Sequence, residues 1–583
     1  MMFRRSTWLC LLAGSVISHE IGAQTAAVQP GAVQSGDDLL GLWGAEPQLG
    51  PQVRGALTLE RHGQRWSARV SGFEVHAAQQ GDSVVMTLPG GQGTLKLWTR
   101  AGTRGNTSGA VPEAFWVQPS GMNAAYATPV RLHQAGTNRW RGEVAPVPEQ
   151  FPLYLMVTRA DDRTLRGTFR NPETNWPGRT ASYVVSRAGD QVIFTHPRTG
   201  KVQWTQLYDS AQRTITFDFG APIVLQPRTR EHAVGFVTRS PSLAPYTYRT
   251  PVALSDGWSA ATAASVQMDA MALQSIVRSL VAVDPLSETE PRVHALVVAR
   301  HGKLVLDEYF RGYDADMMHD LRSASKTMTS IMAGAAMQRG AKLNGAPLSA
   351  HTRAGVHDIT LGHLLSHSTG LACNDDDDTS PGNEDTMQSQ QAQPDWFAFF
   401  KALPRITAPG STYSYCSAGI NMAGSVIGQA TRLWLPRLFE STLGRPMAFG
   451  EYGINLMPTG EAYSGGGMRM RPRDLLKFGQ LYLDDGLWQG VRLVPASWVK
   501  TSTGHVISRP DSSDDGYGWH RNVLAARGRT FQTYSAGGNG GQFLVVVPEL
   551  RLTVVVTAGN YGQYDVWRKI RDQLVPMIME AVQ

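Results

Sequence analysis

Between Leu39 and about Val237 the chain is broken into short runs of alternating apolar and polar residues, and this pattern limits the fold more than any other feature. "GALTLERHGQRWSARV" reverses at His62-Gly63, with Leu57 and Leu59 on one arm and Trp66, Ala68 and Val70 on the other. Similar runs follow: "SVVMTL", "TLKLWT", "RWRGEV", "LYLMVT", "LRGTFR", "SYVVSR", "QVIFTH" and "TITFDF", separated by Gly, Asn, Asp and Pro. Alternation at period two places every second side chain on one face of a strand. Many such strands at short spacing predict an all-β antiparallel barrel or sandwich over 39–239. This region shows no repeat and no metal-ligand spacing, and its role is not legible.

Ser240 to Ser265 is rich in Pro, Ser, Ala and Thr and reads as a linker. After it the pattern changes. A helix is predicted from about Met268 to Val283, then a hairpin turning at His301-Gly302, a series of helices, and a second hairpin around Pro548-Glu549. A last helix from Asp565 has Val566, Ile570, Leu574 and Ile578 on one face, with a bend at Pro576. Strands from both ends thus flank a helical middle, so 266–583 reads as a mixed α/β domain, an antiparallel sheet plus a helical subdomain. A total of 583 residues suits two or three domains. Its 42% hydrophobic and 17% charged content supports ordinary cores. The net charge of +6 is scattered, which argues against nucleic acid and against a polybasic membrane patch.

Residues 1–23 read as a signal peptide: Arg4 and Arg5, an apolar run from Trp8 to about Ile17, and small residues before Gln24. The run is too short to span a bilayer, and no later stretch is long enough. The expectation is an exported protein, periplasmic or secreted, with a flexible leader over 24–38. Of three cysteines, Cys10 leaves with the signal peptide. Cys373 and Cys416 remain, as one disulfide or two buried thiols.

Chemistry concentrates in "LRSASKTMTSIMAGAAMQRG", Leu321 to Gly340. Ser323 and Lys326 are three apart, hence on one face of a helix whose N-cap is expected at Asp320 and whose stop is expected at Gly340. A lysine in a dry pocket, its pKa lowered, would take the serine proton or help a neighbour to do so. The same spacing recurs at Ser497 and Lys500, where a surface helix start is the simpler reading. His363 and His367 are four apart but lack the glutamate of a zinc motif, so packing and capping is expected of them and no metal site is assigned. "NDDDDTSPGNED", Asn374 to Asp385, lacks the glycine and glutamate placement of a calcium loop and reads as a solvated rim.

Three ordered segments carry a family resemblance. They are "SASK" (Ser323 to Lys326), "PGSTYSYCSAGINMAGSVIGQAT" with Tyr415-Cys416-Ser417 in the Tyr-x-Asn place, and "SAGGNGGQFLVVVPE" with Ala536-Gly537-Gly538 in the Lys-Thr-Gly place. "ITLGHLLSHSTGL" and "SGGGMRMRPRDLLKFGQLYLDDG" support them. Together they resemble the serine β-lactamase-related hydrolases, which include class C β-lactamases, D-alanyl-D-alanine peptidases and β-lactamase-fold esterases. The resemblance covers about Val252 to Gln583. It implies Ser323 as nucleophile, Lys326 and Tyr415 as the proton-transfer set, and backbone N–H groups of Ser323 and Asn539 as the oxyanion hole, with no cofactor. Ser417, Gly537, Gly538 and Gly540 would line the substrate, Gly541 beside them. Because the implied loops both border the cleft, it also implies a Cys373–Cys416 disulfide pinning Tyr415, which a Cα separation above about 7 Å would exclude. Two departures stand out. Ser417 replaces the usual Asn, and Ala536 replaces the usual Lys or His that faces a substrate carboxylate. The expectation is a small-molecule ester, amide or peptide substrate, with ester cleavage favoured. The alternatives are an altered β-lactamase or D-alanyl-D-alanine peptidase, or a non-catalytic penicillin-binding-like receptor or interaction protein.

Overall fold

A computed structural model describes residues 36–99, 111–121, 124–178, 181–343, 358–389, 394–511 and 513–583. The signal-peptide reading and most of the 24–38 leader lie outside them. At the leader's end, Asp37 and Asp38 pair with Arg159 and Arg187.

The β-rich half contains two bodies. Gly41–Ala45 pairs with both Leu153–Arg159 and Pro222–Arg228, closing an eight-stranded antiparallel barrel with the strands between them. Phe169 stands at the centre of its core, edge-on or tilted to Trp176, Tyr183, Phe194, Trp204 and Phe217 at ring-centroid distances of 5.2–6.0 Å. The excursion between the first two barrel strands builds two further sheets. One is five-stranded and holds the hairpin Gly55–His62 and Arg65–Val70, turning at Gly63 as the sequence suggests. Leu57, Leu59 and Trp66 from it share a core with Leu95, Leu97 and Trp116 of the other sheet.

That second sheet crosses the expected domain boundary. Its order runs from Ser83–Thr87 through Thr94–Trp98, Glu113–Val117 and Tyr126–Val130 to Tyr452–Asn455, Arg469–Met470 and His319–Asp320. Tyr126 pairs with Asn455 and Ala127 with Ile454. Phe115 and Ala127 are buried in the same apolar core as Met332, Leu435 and Leu443. Trp98 stacks on Trp434, and Arg131 bonds to Glu440 at 3.2 Å. Segment 240–265 is likewise no free spacer. Tyr246 is buried and donates to Glu308, Trp258 donates to the Arg473 carbonyl, and Asp256 pairs with Arg473 at 2.7 Å. Apolar and charged anchors hidden among small residues fasten it to the C-terminal body.

The C-terminal body is built on a nine-stranded sheet in which Val293–Arg300, of the first hairpin, lies beside Leu552–Ala558, of the last. Ala270–Val281, capped by Asp269, and the final helices cover one face; Ser325–Gln338 and Pro472–Leu483 lie on the other. The last helix has a π-helical turn, Ile570–Leu574, just before Pro576. Ser325–Gln338 is the hub, buried on every side from Ser325 to Ala336. A Cβ on its Gly334 would come within 2.3 Å of Trp498. Gly340, at φ +92°, ends it. A disulfide joins Cys373 to Cys416, with Cα atoms 5.4 Å apart and a sequence separation of 43.

Two outcomes follow. Deleting residues 24–239 strips Tyr452–Asn455 of its sheet neighbour and uncovers Trp434 and Glu440, so the remaining chain is expected to lose soluble expression or cooperative unfolding. A soluble 240–583 fragment with a single sharp melting transition would show that the shared sheet is dispensable. Replacing Cys373 and Cys416 together by serine is expected to lower stability by about 4 kcal/mol, the loop-closure contribution for a crosslink of this span, read from denaturant midpoints at unchanged slope.

Candidate active site

The turn that carries Ser323 precedes the helix rather than forming its first turn. Arg322–Ala324 is a 3₁₀ turn, and the α-helix begins at Ser325. Asp320, expected as the helix N-cap, instead accepts the Arg322 N–H at 2.8 Å and pairs with the Arg322 side chain at 3.1 Å. Arg322 has φ +48°, a conformation costly for a residue with a Cβ. Its guanidinium lies 4.8 Å from the centre of the Tyr561 ring. The turn is clasped by Ser464–Met468: Thr329 donates to the Ser464 carbonyl, Met468 N–H to Ser325 Oγ, and Leu321 N–H to the Met468 carbonyl.

Lys326 Nζ is 3.1 Å from Ser323 Oγ and 2.6 Å from the Gly465 carbonyl. The Tyr415 ring centre is 4.9 Å from the same nitrogen, and the Tyr415 hydroxyl interacts with Ser323 and Lys326. Burial alone would lower the Lys326 pKa, but Tyr415, Glu384 and Asp375 outweigh it and raise it above the ordinary lysine value. The lowered lysine pKa expected from a dry pocket is therefore reversed, because the pocket contains carboxylates. Burial also raises the Tyr415 pKa, more than Lys326 beside it draws it down. The resting pair is thus an ammonium and a neutral phenol, and the couple must lose one proton together before either member can accept one from Ser323.

Behind Tyr415 lies His367, ring centres 4.7 Å apart. It accepts the Cys416 N–H at 3.0 Å. Burial, then Lys326, hold its pKa well below the histidine norm, which keeps the accepting imidazole neutral. His363 makes a capping box with Thr360.

The strand Arg529–Gly538 runs along the turn. A Cβ on Gly538 would lie 2.3 Å from the Leu321 carbonyl and 3.1 Å from the Ala324 nitrogen, so glycine is what lets this strand touch the turn that carries Ser323. The Asn539 side chain accepts the Gly562 N–H at 2.9 Å. Gly540 and Gly541 depart from the expectation that they admit substrate: their faces are filled by Tyr561 and by Ile570 and Ala558. Gly537 faces His520 and Phe543, and Ala536 is fully buried.

Ser417 also departs from its expected place. It is fully buried; its N–H donates to Asp375 at 2.7 Å and its hydroxyl to Glu384 at 3.2 Å. A hydroxyl is too short to reach forward as an amide would, and the carboxylates behind it are stronger acceptors. Those carboxylates come from the stretch read as a solvated rim. Asp376, Asp377 and Asp378 are exposed, but Asp375 and Glu384 turn inward. The other residues that sequence reading missed are Gly465, whose carbonyl holds Lys326, and His520. The latter is bonded to Asp515 at 2.9 Å with Arg509 3.2 Å away. Ser497 and Lys500 are exposed on the helix Ala496–Thr503, far in character from the buried Ser323 site. Among the described residues no cluster of His, Cys, Asp or Glu is arranged to hold a metal, and no helix is long and apolar enough to cross a membrane.

A 6-aminohexanoate-dimer hydrolase of Paenarthrobacter ureafaciens is 26% identical over 239 residues, 38% of this chain and 60% of that protein. Similar solved structures include a family VIII carboxylesterase (18% identity, TM-score 0.42, covering 53% of this chain and 96% of that one). Another is a penicillin-binding protein of Bacillus halodurans (18% identity, TM-score 0.40, 51% and 98%). The family model described as Beta-lactamase matches residues 289–572, which contain Ser323, Lys326, Tyr415 and the Ala536–Gly541 strand. The C-terminal body of this chain belongs to the β-lactamase family.

Proposed function

We propose that the protein is a serine hydrolase that cleaves an ester through an acyl-enzyme on Ser323. The observation that carries this reading is the contact of Lys326 Nζ with Ser323 Oγ at 3.1 Å, with Tyr415 on the same ammonium. In acylation, Ser323 Oγ bonds to the carbonyl carbon as its proton passes to the deprotonated Lys326–Tyr415 couple. The couple returns that proton to the departing alkoxide, and water then releases the acid by the same route. The N–H groups of Ser323 and Asn539 are the assigned donors to the oxyanion. Ala536 brings no cation to the strand, which favours substrates without a carboxylate at that point. Cleavage of a small amide is consistent with the same machinery and with the relative named for hydrolysis of a 6-aminohexanoate dimer. Export completes the reading: a signal peptide and the Cys373–Cys416 bond both suit an oxidising compartment.

A second reading rests on His520. It sits across from Ser535, with its imidazole 3.6 Å from where a Gly537 Cβ would be, and Arg509 is beside it. Arg509 offers a carboxylate the positive charge that Ala536 does not, and the His520 ring beside it offers a polar partner, which keeps β-lactams and D-alanyl peptides as the alternative substrates.

Fluorophosphonate labelling and p-nitrophenyl butyrate turnover are expected to fall by at least about 10³-fold in Ser323→Ala and by about 10²–10⁴-fold in Lys326→Ala. Ser497→Ala should remain within about twofold of the parent. Labelling that survives Ser323→Ala would overturn the assignment. Nitrocefin turnover exceeding ester turnover, and lost selectively in His520→Ala, would move the conclusion to the second reading.

A further inference from the structure

Resting on that reading, we propose that Asp375 and Glu384 are positioning residues of the active site, a half-buried carboxylate pair that clamps the Tyr415-Cys416-Ser417 segment and sets the proton affinity of the Lys326–Tyr415 couple. The contacts are directional. The Asp375 N–H donates to the Tyr415 carbonyl at 2.8 Å, while its carboxylate accepts the Ser417 N–H at 2.7 Å and the Glu384 N–H at 2.9 Å. Tyr415 is therefore held through the peptide groups on both sides of Cys416. Glu384 accepts the hydroxyls of Ser417 and Tyr463 and, at 3.0 Å, the Gln388 amide.

The pair lies behind Ser417, the residue that stands where the related motif carries an asparagine, and sets two carboxylates against it. Two carboxylates this close do not both ionise freely. Burial, then the Glu384 charge, raise the Asp375 pKa to about 7. The groups facing the pair are Lys326 from the central helix, Tyr415 with neutral His367 behind it, Tyr463 from the segment before Ser464, and Asp385 on the same helix as Glu384. Only Lys326 among them brings positive charge. The effects of the pair on the couple therefore share one sign. Negative charge on the pair holds the proton on Lys326 more tightly, and Asp375 also opposes ionisation of Tyr415. Removing a charge lets the couple lose its proton at lower pH.

The test is the pH dependence of acylation, followed as the second-order rate of fluorophosphonate labelling of the full-length protein. Glu384→Gln is the primary variant, because its donors are hydroxyls and a side-chain amide that can reorient toward the remaining carbonyl. Asp375→Asn is the second. In both, the acid limb of the profile is expected to move down by on the order of one pH unit. Asp377→Asn, exposed on the same loop, should leave it in place. A role confined to holding the loop would reduce the rate at every pH without moving the limb. That result, in a variant with parental melting temperature, overturns the proposal. If both variants fail to fold, the limb measured on the parent decides: a single proton with no second titration near pH 7 overturns it. Parent protein that is not labelled at any pH overturns the serine-hydrolase reading itself, and this inference with it.

Discussion

The Lys326 ammonium is the constraint on which the site depends. It is buried, and a buried cation is tolerated only when its donors are met and its charge is opposed. Ser323 and the Gly465 carbonyl meet two donors; Tyr415, Glu384 and Asp375 lie around the charge. These groups come from four segments, so satisfying one ammonium forces the turn, the Ser464–Met468 clasp, the Tyr415 loop and the acidic loop into one place. The disulfide and the neutral His367 then fix the Tyr415 loop from behind.

The same logic explains why the β-rich half is fastened to the C-terminal body. The sheet that begins at Ser83–Thr87 ends at His319–Asp320, three residues before Ser323. Asp320 and Arg469 are buried there beside Tyr126, and Glu173 of the barrel accepts from Tyr313 at 2.8 Å. Asn175 donates to the Tyr561 carbonyl at 2.7 Å, the residue whose ring lies under Arg322 and against Gly540. The left-handed Arg322 backbone persists because partners from both halves hold its side chain and its neighbours.

Much of this was readable from local pattern. The hairpin at His62-Gly63, the helix capped by Asp269, the two hairpins of the central sheet and the Ser323–Lys326 spacing depend on residues within a turn or two of one another. The surface position of Ser497 was readable for the same reason. The destination of Asp375 and Glu384 was not, because a run of acids looks solvated until a buried cation is known to face it. Nor was the function of Gly540, since closeness to Tyr561 and closeness to a substrate demand the same missing Cβ.

By itself the sequence determined the strands of the β-rich half, the α/β character of the rest, the pairing of Ser323 with Lys326 on one face, and the pair of cysteines, all through periodicity, spacing or residue chemistry. Only the tertiary structure decided that one sheet crosses from Ser83 to Asp320, that Ser417 faces backward, and that Lys326 rests charged. Those outcomes depend on which distant groups share a low-dielectric space, and electrostatic energy there is set by distance in three dimensions, which no local pattern encodes.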